Sequence, residues 1–297
     1  MMDAYDVLNY LNEKKVHYRV NELKQILITQ YCPLKALKPH AITWLKQYDA
    51  KITEANPETL FICKIEDHTE HGDNVIFVES LKRTFFRIIR DLFNLDAMKE
   101  SKIEPSAVVL SKQVGDAVYI GHHTFIDKEV TIGDGTIIMH NVTIQGKVVI
   151  GDDCLIESGA VIGGCGFGTY LDEEGHPELV PHPAGVTIGD HVKIFANTCI
   201  VRGCLSDTII EDHAMVDNLC HIAHNVHLHE NVQVAACSEI SGSATIGRDS
   251  WIAPGVTILN GIHVGENVYT GIGSNLVKDV PDHTLVYGNP AKQKNRR

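Results

Sequence analysis

Residues 132–150 read Ile-Gly-Asp-Gly-Thr-Ile-Ile-Met-His-Asn-Val-Thr-Ile-Gln-Gly-Lys-Val-Val-Ile, with an aliphatic residue at every sixth position: Ile132, Ile138, Ile144 and Ile150. The beat extends upstream through Ile126 and Ile120 to Val114, and downstream through Ile156 to Ile162. It resumes at Ile188, Ile194 and Ile200, then runs from Ile210 through Val216, Ile222, Leu228, Val234, Ile240, Ile246, Ile252 and Ile258 to Val264. An amphipathic helix spaces its apolar residues by three and four, and a half-buried strand by two. A strict six fits neither. It fits the hexapeptide repeat of a parallel β-helix, in which each short strand and corner uses six residues and sends one aliphatic side chain into the core. Small or β-branched residues four after the anchor (Thr136, Cys154, Ala160, Thr198, Ala244, Val256) fill the tight turn. Gly-Asp follows Ile132, Ile150 and Ile188, and the glycines are expected to supply a positive φ there. The predicted fold is mainly β, a hexapeptide-repeat solenoid behind a small amino-terminal α/β domain.

The boundaries predicted are 1–102 for the amino-terminal domain, 103–275 for the solenoid and 276–297 for a tail. In the first, Ala4 to Val16 has helical spacing, and Thr59 to Ile65 and Asn74 to Val78 read as short buried strands. Leu81 to Phe93 reads as a basic helix with Phe85, Ile88, Ile89 and Leu92 on one face. The formal charge of −12 argues against nucleic acid as the partner. The polar segment from Met1 to Lys14 and the want of a long apolar run predict no membrane span and a cytoplasmic protein. Eight cysteines without a Cys-x-x-Cys pair suggest free thiols, with Cys154, Cys204 and Cys220 at the small inward position.

The beat breaks twice, between Ile162 and Ile188 and between Ile200 and Ile210. Such insertions loop out of a solenoid and commonly carry function. The first contains Gly163-Gly164-Cys165-Gly166-Phe167-Gly168-Thr169-Tyr170. No helix is expected to follow it, so it is not a dinucleotide fingerprint. The chemistry is expected in Asp217-Asn218-Leu219-Cys220-His221-Ile222-Ala223-His224-Asn225-Val226-His227-Leu228-His229. His224 sits two past its anchor and should project outward. One coil of three repeats later comes Gly242, which would leave room beside the imidazole for a ligand. His227 and His229 are expected to be solvated surface residues.

Asp217 to Val226 resembles the active-site segment of the UDP-3-O-acylglucosamine N-acyltransferases, lipid A pathway enzymes built on a left-handed β-helix. Gly163 to Tyr170 is similar to that family's glycine-phenylalanine loop, and Arg202 to Ile210 to its Arg-Gly-x-x-x-Asp-Thr-Ile-Ile segment. Ala41 to Leu45 and Asn74 to Phe93 resemble its uridine-binding domain, more weakly. The resemblance implies a left-handed coil, a homotrimer with active sites between subunits, and His224 as general base, a role that suits a neutral imidazole. Asp217 and Asn218 then line the same cleft. Trp44 and Tyr48 would hold the nucleotide, while Gly166, Phe167, Gly168, Tyr170 and His221 would contact the sugar.

The carboxyl terminus departs from that family. Lys278-Asp279-Val280-Pro281 and Gly288-Asn289-Pro290-Ala291-Lys292 resemble the ends of hexapeptide acetyltransferases that use acetyl-CoA on UDP- or dTDP-linked amino sugars. Gly242, Gly261, Lys278 and Lys292 are therefore assigned to the donor. Acetyl-CoA is the preferred donor, acyl carrier protein the alternative, and no resident cofactor or metal is expected. Two other readings compete. A zinc enzyme like the γ-class carbonic anhydrases would use His224 and His229 but lacks an evident third ligand. A non-catalytic structural solenoid would need no cleft at all.

Overall fold

The computed structural model describes residues 2–68, 73–95 and 101–294. It divides into two compact units, Met1–Met98 and Lys99–Arg297. The junction predicted at Lys102 is close to this division, and Lys102–Ile103 is already a strand of the second unit.

The first unit is built on a five-stranded sheet. Its order is Tyr18–Val20, Val75–Val78, Thr59–Lys64, Ala41–Trp44 and Gln30–Tyr31, parallel except for the first pair. The central strands are apolar on both faces, as a covered parallel sheet requires. Leu60, Ile62, Ile76 and Val78 pack with Val7 and Leu11 of helix Ala4–Glu13 and with Phe85 and Ile88 of helix Leu81–Leu92. Phe61, Cys63, Val75 and Phe77 form a second cluster with Leu45. Asp3 caps the first helix through a capping box with Asp6, each side chain accepting from the other residue's amide. Tyr10 on the first helix donates to Asp91 on the last at 2.6 Å.

The second unit is a parallel β-helix. Its strands stack into three sheets of 8, 11 and 9 strands. Each strand pairs in register with the strand one coil on: Ile120 with Ile138, Ile138 with Ile156, Ile222 with Ile240, Ile240 with Ile258. The six-beat residues from Ile120 to Val264 are all buried in one continuous core. The small residues four positions on, Thr136, Cys154 and Ala160 among them, are buried between them. Stacking identical aliphatics in register lets one short repeat fill a core of any length.

The corners correct one expectation. Positive φ falls three after the anchor, on residues such as Asn141, Asp153, Asn225 and Asn231 as well as glycine. The glycines of Gly-Asp do another job. A Cβ on Gly133 would lie 2.3 Å from Asp152 Oδ1, and one on Gly151 would lie 2.2 Å from Asp190 Oδ1. Those carboxylates reach across the bare glycines to accept from the amides of Asp134 (2.7 Å) and Asp152 (2.8 Å) in the coil below. The dipeptide is a stacking device, in which one coil's glycine admits the next coil's cap.

The solenoid also runs past the predicted end at 275. Asn275–Leu276 pairs with Thr257–Ile258, and Leu285–Tyr287 pairs with Tyr269–Thr270. The 163–187 insertion carries an antiparallel hairpin, Thr169–Leu171 with Pro177–Leu179. All eight cysteines are free. Cys154 and Cys220 are buried as expected, and burial pushes both thiols up to about 11. Cys204 is not a core residue: it lies half-buried in the second insertion, its thiol donating to the Pro181 carbonyl at 3.3 Å. No described helix is long and apolar enough to cross a membrane.

Candidate active site

His224 lies at a corner, two past the inward Ile222, and is half-buried. The same register places Gly242 one coil above it and Asn260 above that. A Cβ on Gly242 would stand 2.5 Å from His224 Cε1 and 2.6 Å from Nε2. The missing side chain opens a slot that broadens into a cavity of about 470 Å³. His221, Glu239, Ser241, Asn260 and Phe167 line it along with His224.

The hydrogen-bond network sets the tautomer of His224. Asn225 Oδ1 accepts from the Cys204 amide at 3.1 Å, while its Nδ2 donates to the Ser206 carbonyl at 2.7 Å. That orientation leaves Oδ1 to accept from His224 Nδ1, 3.1 Å away. Nδ1 therefore carries the ring proton, and Nε2 presents a lone pair toward the slot. Asn225 can do this because its corner position, at φ +61, suits asparagine. Its amide is in turn held by Thr208 Oγ1 at 2.9 Å. The insertion between Ile200 and Ile210 thus fixes the proton on His224.

The first insertion contributes His182, which sequence reading missed. The residue is 4% exposed, and its ring lies 5.2 Å from that of His224. Gly166 makes room for it, since a Cβ there would lie 2.3 Å from His182 Nε2. The only hint in the sequence was the glycine run, whose purpose is visible only when the loop folds back. Glu239 and Ser241 were also missed. Ser241 Oγ donates to Glu239 at 2.9–3.0 Å, making a polar part of a cavity wall that Phe167 also lines.

Other predicted residues scatter. Asp217 and Asn218 occupy the preceding corner and do not meet His224 within one chain. Asp217 Oδ2 accepts from the Ala236 amide at 3.2 Å, and Asn218 Oδ1 from the Ala196 amide at 3.1 Å. Phe167 stands 86% exposed just before the hairpin. A Cβ on Gly168 would make only ordinary contact with Val180, and the Tyr170 hydroxyl donates to Glu178 within the hairpin. Lys278 and Lys292 line a different cavity, about 340 Å³, with Leu276, Val280 and Pro290. Gly261 sits at an open corner outside both cavities. In the first unit Trp44 is half-buried, stacked on Phe85 at 6.2 Å with Phe86 at its edge. Tyr48 packs on Phe77 at 5.7 Å. His227 and His229 are not free surface residues: His227 hydrogen-bonds the Glu211 carboxylate at 2.6 Å, and His229 Nδ1 lies 3.1 Å from the same oxygen.

The bacterial transferase hexapeptide model, six repeats long, matches residues 129–164 and 207–242, and the second stretch contains Asp217, His221, His224 and Gly242. The chain carries the hexapeptide repeat of bacterial transferases. Among curated proteins, this hexapeptide-repeat chain is 38% identical to a UDP-3-O-acylglucosamine N-acyltransferase of Delftia acidovorans over 44% of its own length and 39% of that protein's. It is 52% identical to the Pseudomonas paraeruginosa protein of the same name over 29% and 24%. The hexapeptide-repeat chain thus spans about two fifths or less of the curated relatives it matches. Among solved structures it resembles a UDP-N-acetylglucosamine acyltransferase from Campylobacter jejuni, with a TM-score of 0.59 and 27% identity over 65% of this chain and 74% of that one.

Proposed function

We propose that this protein is an acyltransferase that moves an acyl group from a thioester to the amine of a UDP-linked amino sugar. The observation that carries the reading is His224 Nε2, unprotonated and facing a slot left open by Gly242. As the sugar amine attacks the thioester carbonyl, the N–C bond forms and Nε2 takes the amine proton. The C–S bond then breaks, and the departing thiolate recovers a proton from the imidazolium. Asn225 keeps Nδ1 protonated throughout and stabilises the charged ring.

The likeness to UDP-3-O-acylglucosamine N-acyltransferases supports a UDP-3-O-acylglucosamine-type acceptor and moves the donor preference. The carboxyl-terminal motifs favoured acetyl-CoA; the relatives favour the alternative, an acyl group on acyl carrier protein. We adopt the carrier protein as donor. Trp44 and Tyr48 are assigned to the uracil ring, with His221 and Phe167 at the sugar. The homotrimer and the cytoplasmic setting belong to the same proposal, and a neighbouring copy would cover the exposed Phe167 ring.

The test is an assay of the purified chain with UDP-3-O-acylglucosamine, offering hydroxyacyl carrier protein and acetyl-CoA in parallel. Turnover with the carrier protein is expected. Turnover only with acetyl-CoA would restore the sequence-based donor, and none with either would remove the proposal. Light scattering of a monomer at micromolar concentration would remove the site between copies.

A further inference from the structure

We propose that Glu211, His227 and His229 form a binding site for a divalent metal of the zinc class, on a strand wall separate from the His224 cavity. His227 and His229 flank the inward Leu228, the first in strand His227–Leu228 and the second just past it, so both project outward. Glu211 follows the inward Ile210, which is paired with Leu228, and so falls in register beside His229. The two rings stack at 4.0 Å and 29°. Glu211 Oε1 is 2.6 Å from His227 Nε2 and 3.1 Å from His229 Nδ1. Its other oxygen, Oε2, accepts from the Glu230 amide at 3.0 Å, which fixes the carboxylate plane.

One ligand atom from each residue lies within 4.8 Å of the others, and this is the only such group of three or more among the described residues. Two imidazole nitrogens with one carboxylate oxygen is a donor set that suits zinc and neighbouring divalent ions. All three side chains are half-buried, so a bound ion would be partly shielded from water.

A second observation concerns the open side of the cluster. Gly247 lies one coil above His229 and carries no side chain. Above it runs a groove of about 440 Å³, lined by Glu211, His229, Glu230, His263, Glu266 and Asp282 among others. Three protein ligands therefore leave a fourth position facing the groove, where water or an anionic group can coordinate. Four carboxylates, Glu211, Glu230, Glu266 and Asp282, line the groove against one arginine, Arg248, and give it a potential that draws cations in. Nothing in the hexapeptide repeat requires histidine on both sides of an anchor, so the pair is not a by-product of the fold.

The experiment titrates Zn²⁺ into the full-length chain after chelator treatment, reading stoichiometry by calorimetry and by metal content after dialysis. One Zn²⁺ per chain is expected, with an X-ray absorption spectrum of nitrogen and oxygen ligands that includes imidazole. Loss of an outer partner of a metal ligand typically costs about 10–100-fold in affinity, and loss of the ligand itself should cost at least about 100-fold. Glu211→Gln, His227→Ala and His229→Ala should each do so, while His224→Ala binds Zn²⁺ like the parent. Failure of the parent chain to retain stoichiometric Zn²⁺ overturns the proposal whatever the variants do. So does a sulfur ligand in the spectrum, which would point to the exposed thiols of Cys165, Cys199 or Cys237. Equal binding by all three variants would overturn it as well.

Discussion

The imidazoles of His182 and His224 meet edge to face, 5.2 Å between centroids and 63° between planes, although they come from different corners of the chain. His182 is almost wholly buried, with its ring packed on that of the proposed base. Gly166 allows the approach. The 163–187 insertion therefore backs the His224 ring as well as bringing Phe167 to the cavity mouth.

From that contact, His182→Ala should loosen the His224 ring without removing it. Turnover is expected to fall by about tenfold, less than the roughly 100-fold loss that a 1 Å misplacement can cause. KM for the nucleotide sugar should stay within about twofold, because His182 does not line the cavity. Steady-state kinetics on the folded variant decide it, and an unchanged kcat would show that the contact is packing alone.

His224→Ala should lower kcat by about 10²–10⁴-fold, the usual contribution of a positioned base. Thermal stability should hardly change, since the ring lies outside the aliphatic stack. The Zn²⁺ site proposed at Glu211 is separate, so chelation should leave acyl transfer intact. Steady-state kinetics of parent and variant, with and without chelator, distinguish a base from a metal ligand at this position.

Gly242→Ala tests the slot. Its new Cβ would stand 2.5 Å from His224 Cε1, closer than any real contact, so the ring must move. We expect kcat/KM to fall by about 100-fold while the melting temperature stays near the parent's. A variant as active as the parent would mean that nothing reacts beside this glycine.

Trp44→Ala should weaken UDP binding by about 1–3 kcal/mol, the usual worth of one base stacked on an aromatic ring. The indole also packs on Phe85, so the melting temperature must be followed alongside calorimetric UDP affinity. A folded variant with parental affinity would put the nucleotide elsewhere.

Acid should loosen the first unit through the Tyr10–Asp91 link. The Arg90 guanidinium, and next the Tyr10 hydroxyl, hold the Asp91 carboxyl below its ordinary range. Burial, and next the bond to Asp91, push Tyr10 up to about 12. A depressed folded pKa contributes stability above the unfolded value of about 3.9, and that contribution is lost as pH falls through the folded value. Tyr10→Phe should therefore destabilise the unit by about 0.5–1.5 kcal/mol at pH 7 and by less at pH 3. Circular dichroism melts at the two pH values provide the check; an equal loss at both would assign the effect to packing.

The six-residue period determined the solenoid by itself, because one buried aliphatic per strand leaves a mark that no other regular structure shares. It also determined that His224 would face outward and that Gly242 would lie above it, since coils of fixed length turn sequence distance into spatial neighbourhood. Wherever the beat fails, that conversion fails too. His182 reaches His224 only through the fold of an insertion with no period, and Asn225 fixes the ring proton only through contacts with the second insertion. Asp217 and Asn218, close to His224 in sequence, belong to another corner, where they cap stacked amides. Glu211, His227 and His229 show the same division. Their outward direction follows from the anchors, but their convergence depends on the register of two coils separated in sequence and on side-chain rotamers set by hydrogen bonds.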